Sequence, residues 1–101
     1  MTLGIIGGLG PIATAYFMEL IIQMTDAKRD QDHLSMIVYN APEIPDRTSY
    51  ILGVSSRNPV WDMIEIGRKL AGQKVTCISI PCVTAHYFHE ELSGNIPVPI
   101  I

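Results

Sequence analysis

Val75-Thr76-Cys77-Ile78-Ser79-Ile80, followed at once by Pro81-Cys82-Val83-Thr84-Ala85-His86, decides how this chain is read. The first six residues are short, largely β-branched and without regular alternation, the pattern of a strand buried on both faces of a parallel sheet. The next six open a segment with helical spacing. Cys82 therefore lies just past the carboxyl end of a strand and ahead of a helix. In open α/β sheets ligands bind outside that edge, where the following helix offers free N–H groups and the positive end of its dipole. Such a position lowers a thiol pKa. Cys82 reads either as a reactive thiol or as a small buried hydrophobe at a strand–helix junction.

Working outward, the same strand-then-helix grammar recurs. Leu3-Gly4-Ile5-Ile6 is a first strand and Gly7-Gly8-Leu9-Gly10 a tight turn. Pro11 takes the first helical position, where a missing N–H costs nothing. Ala13, Phe17, Leu20, Ile21 and Met24 share one face of that helix. Leu34 to Tyr39 is a second strand, followed by a long loop from Asn40 to about Ser56; loops of that length in compact domains are usually functional or mobile. Asn58-Pro59 starts a helix whose stripe is Val60, Met63, Ile64, Gly67, Leu70 and Ala71, ending near Gly72. After the Val75–Ile80 strand, a helix is expected from about Thr84 to Leu92, closed by Gly94, and Ile96 to Ile101 reads as a fourth strand. The order βαβαβαβ predicts a Rossmann-like α/β fold, with a four-stranded parallel sheet covered by helices on both faces through right-handed crossovers. Residues 1–101 form one domain. Its end within an apolar strand suggests a piece of a larger fold, the alternative being a small domain whose last strand is a sheet edge that tolerates two prolines.

Composition narrows the partners. A chain of 101 residues that is 48% hydrophobic and 17% charged reads as soluble and globular, and its net charge of -3 argues against nucleic acid as the main partner. The apolar start breaks at Gly7-Gly8, too early for a signal peptide or membrane span, so no membrane is expected and the default compartment is cytoplasmic. Cys77 and Cys82 are separated by roughly 16 Å of strand at ~3.3 Å per residue. They are poorly placed to pair and read as thiols in a reducing environment.

Several groups bear chemistry. Gly8-Leu9-Gly10-Pro11-Ile12-Ala13 fits a dinucleotide fingerprint, yet the acidic residue wanted at the end of the second strand is Asn40 here. What remains is a glycine turn feeding a helix N-terminus that binds some anion, or a turn that needs glycine only for its backbone angles. Arg47 lies in the loop after the second strand, on the same sheet edge as Gly8 and Cys82. It is placed to grip a carboxylate bidentately, or else to pair with Asp46 or Glu43 at the surface. His86, His89 and Glu90 share a helical face at metal-ligand spacing, but nothing elsewhere completes a set, so no metal is expected. His86 is also a candidate base near Cys82, and His33 reads as solvent-exposed.

Taken together, Gly7-Gly8-Leu9-Gly10-Pro11, Lys28-Arg29-Asp30-Gln31-Asp32-His33, Ile44-Pro45-Asp46-Arg47-Thr48 and Pro81-Cys82-Val83-Thr84-Ala85-His86 resemble the aspartate/glutamate racemase family along the whole chain. The resemblance implies two Rossmann-like domains related by pseudo-symmetry, one catalytic cysteine from each, and no cofactor, neither pyridoxal phosphate nor metal. This chain would supply the N-terminal half. Residue by residue, it implies Cys82 as the first catalytic cysteine, Arg47 as the group recognising the distal carboxylate, Thr84 as a holder of the substrate's carboxylate end, and Gly8 and Gly10 as the turn beside the substrate. The family pattern is usually Cys-Asn-Thr; Val83 replaces the amide with an isopropyl group at a substrate-binding position. The substrate would be an amino acid, interconverted between L and D forms, and family members are commonly dimers, so a homodimer is expected. Racemisation needs acid/base groups on opposite faces of the α-carbon, so a second thiol must come from outside this chain. Two other readings stand beside this one: a non-catalytic carboxylate-binding remnant, and a nucleotide-binding Rossmann-type module.

Overall fold

A computed structural model describes all residues 1–101. Three parallel strands, β1 (Thr2–Gly7), β2 (Ser35–Asn40) and β3 (Cys77–Ser79), form one sheet in the order β2-β1-β3. β1 is the middle strand, which is why Leu3 to Gly7 are all buried and show no polar alternation. Its Leu3 pairs with Met36 on one side and Cys77 on the other.

The pleat sorts the side chains into two layers. Leu3, Ile5 and Cys77 point to one face, where Phe17, Met18 and Ile21 of α1 (Pro11–Met24) pack on them. Ile6 and Ile78 point to the other, into a larger core built with α3 (Val60–Gly72) and α4 (His89–Asn95). Helices thus lie on both faces, as expected. On α3 the buried residues are Val60, Met63, Ile64, Ile66, Gly67 and Leu70, close to the expected stripe. Asn58 stands just before the N-cap residue Pro59, and its side-chain oxygen accepts a hydrogen bond from the Val60 N–H at 3.0 Å.

Several expectations are corrected. The sheet has three strands, not four: the Ile96–Ile101 run makes a single parallel bridge, Ile100 with Ile78. Ile78 donates to the Pro99 carbonyl and Ile101 donates to the Ile78 carbonyl, and the next rung back would need a Pro99 N–H that does not exist. β3 is shorter than the apolar run that encodes it, although Val75 and Ile80 are buried at its ends.

The helices also depart from the sequence reading. The Asn40–Ser56 loop contains a short helix, α2 (Arg47–Ile51), capped by Asp46, whose carboxylate accepts from the Ser49 N–H at 2.9 Å and the Ser49 hydroxyl at 2.6 Å. The expected Thr84–Leu92 helix is a 3-10 turn over Thr84–Phe88 that continues into α4, with Gly94 inside α4 rather than closing it. On α1 the face that meets the sheet is Thr14, Phe17, Met18 and Ile21. Ala13 and Met24, expected on that face, are exposed. The apolar residues of α1 run all round the helix, so their spacing alone does not select one side.

Candidate active site at the carboxyl edge of the sheet

Because all three strands are parallel, their carboxyl ends open onto one edge. β1 feeds the glycine turn, β2 leads through Ala41–Asp46 to α2, and β3 leads to Ile80-Pro81-Cys82. This is the crevice position at which open α/β sheets bind ligands.

The glycine turn is tied down by Thr14. Its hydroxyl accepts from the Gly8 N–H at 2.9 Å and donates to the Gly10 carbonyl at 3.0 Å. Gly8 has φ +95°, and a Cβ there would stand 2.5 Å from the backbone N and C of Ala41. Two strand exits are thus pressed together, and the Ala41 N–H donates to the Gly7 carbonyl at 2.9 Å. Gly10 is different: exposed, at φ -96°, with open space where a side chain would be. The two glycines that the sequence presents as equivalent therefore have separate causes. Gly8 serves a close backbone approach, and its N–H is already taken; Gly10 leaves the surface open.

Arg47 opens α2, and α2 packs against the Thr84–Phe88 turn, with the Tyr50 and Phe88 rings 6.0 Å apart. The segment carrying Arg47 and the segment following Cys82 are therefore neighbours. Arg47 does not pair with Asp46 or Glu43. One of its terminal nitrogens donates to the carbonyls of Ile44 and Pro45 at 3.3 and 3.2 Å, and its Nε is buried without a partner. Asp46 is instead committed to Ser49, whose hydroxyl holds its carboxyl below the ordinary value of 3.8.

Cys82 is half-buried at the rim of the larger core. Its N–H donates to the Ile80 carbonyl at 2.8 Å, and its Sγ lies 3.2 Å from the Thr84 hydroxyl. An open cleft of about 410 Å³ is lined by Phe17, Ser79, Ile80, Cys82, Val83 and His86, among others. Cys82, Val83 and His86 are thereby brought together. Arg47, Thr84, Gly8 and Gly10 do not line this cleft, although all stand on the same edge. Val83 is 90% exposed, so nothing in the fold calls for a β-branched residue there.

The second thiol of the chain is elsewhere. Cys77 is 7% exposed, within the layer between the sheet and α1. Of the histidines, His89 Nε2 lies 3.3 Å from the Ser93 hydroxyl, and no three His, Cys, Asp or Glu side chains are grouped to hold a metal ion. His33, expected in solvent, is partly buried, with Nδ1 lacking a partner. Sequence reasoning missed Thr14 and the cleft role of Phe17. The signal for Thr14 was a lone hydroxyl in the first turn of an otherwise apolar helix behind a glycine turn. Phe17 carried no signal beyond core periodicity.

A parallel α/β sheet with a half-exposed thiol beside an open cleft at its carboxyl edge belongs to the class of open α/β folds that bind small molecules at that edge. The comparisons narrow it: the profile of the Asp/Glu/Hydantoin racemase family matches residues 6–101, and the chain belongs to that family. It is similar to a broad-specificity amino-acid racemase of Bacillus subtilis, 29% identical over 98% of this chain and 44% of that protein. Among solved structures it is similar to Picrophilus torridus aspartate racemase, with TM-score 0.91 and 36% identity over 99% of this chain and 42% of the other. An aspartate racemase homologue from Pyrococcus horikoshii shares the fold, with TM-score 0.79 and 19% identity over 99% of this chain and 43% of its own. The chain thus spans 42–44% of the length of these relatives. No helix is long and apolar enough to cross a membrane.

Proposed function

We propose that this chain is the N-terminal half of a cofactor-independent racemase of aspartate or glutamate type, part of a pseudo-symmetric two-domain protein acting in the cytoplasm as a homodimer. Cys82 is its catalytic thiol. One thiol removes the α-proton from one face of the amino acid and a second returns a proton to the other. Arg47 takes the distal carboxylate, Thr84 the α-carboxylate end, and Gly8, Gly10 and Val83 border the substrate. The observation that carries this reading is the half-exposed Cys82 in an open cleft at the carboxyl edge, with Cys77 buried in a different layer.

The test is deuterium wash-in with aspartate and glutamate. The 101-residue chain alone is expected to give no more than trace exchange. The same chain completed with the C-terminal half of a relative is expected to exchange the α-hydrogen with inversion, and Cys82→Ser is expected to abolish it. Full exchange by the isolated chain, or an active completed Cys82→Ser variant, overturns the reading. A non-catalytic carboxylate-binding remnant is the second reading, favoured by Val83 standing where an amide would reach substrate.

A further inference from the structure

The short Cys82–Thr84 contact is not used by the roles assigned so far. Sγ and the Thr84 hydroxyl are 3.2 Å apart, within the partly buried rim of the sheet edge, two residues apart in sequence. The geometry is set by the backbone: the Cys82 N–H is tied to Ile80, and Thr84 opens a 3-10 turn, which folds its side chain back toward the strand exit. We propose that Thr84 is a positioning residue for Cys82, its hydroxyl donating to the thiolate and holding the sulfur in one orientation at the cleft.

This deepens the racemase reading and rests on it. A hydroxyl has one proton to donate and two lone pairs to accept with. When Cys82 is a thiolate, the Thr84 O–H is directed at sulfur. When Cys82 is a thiol, S–H can donate to the Thr84 oxygen, which frees the hydroxyl proton for a substrate carboxylate. Holding sulfur and holding substrate therefore alternate at this one hydroxyl, in step with the protonation of Cys82. The other ionisable groups on the cleft wall are His86 and, in the 101-residue chain, the terminal carboxylate of Ile101, while Arg47 stands on the helix packed against the 84–88 turn. α1 contributes only Phe17 to the cleft and β3 only Ser79, with Ile80 and Pro81 following it. His86 and Arg47 are unchanged by a substitution at 84, so a difference between variants reports the hydroxyl.

The experiment is the pH profile of Cys82 alkylation by iodoacetamide, followed by peptide mapping, in the 101-residue chain without substrate. Thr84→Val removes the donor at nearly constant shape. Its alkylation rate at pH 7 is expected to fall about five- to tenfold, since hydrogen bonds to charged groups are the stronger kind. The rate at pH 10 is expected to match the parent, and Thr84→Ser is expected to restore the parent profile. Superimposable profiles for Thr84→Val and parent overturn the proposal. So does a loss of equal size at every pH, which would mean altered access. These outcomes involve no turnover, so they are separable from failure of the racemase reading, which the completed chain tests.

Discussion

Gly8 and Gly10 stand two residues apart in one turn, yet alanine is expected to act on them in opposite ways. At Gly8 the backbone is at φ +95°, a region L-residues occupy at a cost of about 1–2 kcal/mol. The new Cβ would lie 2.5 Å from Ala41 N and C and 2.7 Å from Pro42 N, all backbone atoms that cannot swing aside like a side-chain tip. Forcing such a contact adds about 1–3 kcal/mol. Gly8→Ala is therefore expected to lose about 2–5 kcal/mol, a large share of the roughly 5–15 kcal/mol of a whole domain. At about 4 °C or more per kcal/mol for a chain of this size, the melting temperature should fall by at least about 8 °C. At Gly10, φ -96° and ψ 176° suit any residue before a proline, and no heavy atom lies within 4 Å of the added Cβ. Gly10→Ala should be neutral or gain up to about 1 kcal/mol by narrowing the unfolded ensemble. Urea and thermal unfolding followed by far-UV circular dichroism separate the two. A Gly8→Ala variant within 1 kcal/mol of the parent, or equal losses at both positions, would refute the reasoning.

Three further outcomes are expected. Cys82 should alkylate much faster than Cys77 in native protein, because one thiol borders an open cleft and the other is buried between sheet and α1; equal labelling by peptide mapping would count against Cys82 as the working thiol. Hydrogen bonding by Ser49 lowers the Asp46 pKa below 3.8, so its capping of α2 is fully present above that value and lost as pH falls through the depressed one. The stability gap between parent and Asp46→Ala should hold from pH 5 to 8 and shrink below pH 3.8; a gap unchanged at pH 2 would speak against it. Val83→Asn should leave stability within about 0.5 kcal/mol, as the position is exposed, while in a completed chain it should tighten dicarboxylic amino-acid binding and Arg47→Ala should weaken it. No effect of either on binding or turnover would shift the balance to the remnant reading.

Much of the candidate site's placement was legible because it is local. A strand-length apolar run, a proline and a cysteine place Cys82 at a strand exit whatever the rest of the chain does, and Gly7 to Pro11 encode a turn and a helix start within five residues. Family membership was legible for the same reason, being carried by short motifs in a fixed order. Where the sequence reading failed, the deciding interaction was either a competing local bond or a partner far along the chain. The Asp46–Ser49 cap turned part of a loop into α2, a competing local bond within Asp46-Arg47-Thr48-Ser49. α1 is apolar on every side, so only the sheet beneath it could choose the face of Thr14, Phe17, Met18 and Ile21. The final apolar run met β3 for one bridge, because ladder bonds depend on the donors at each rung and Pro99 has none. By itself, then, the sequence determined the parallel α/β class, the strand exits and the residues standing at them, since these follow from periodicity and chain stereochemistry. Only the tertiary structure decided that Gly8 is pinned against Ala41, that the helix carrying Arg47 packs against the Thr84–Phe88 turn, and that Cys77 is buried beneath α1 while Cys82 borders an open cleft. Those contacts depend on how separate segments are packed, and short-range propensity carries no record of that.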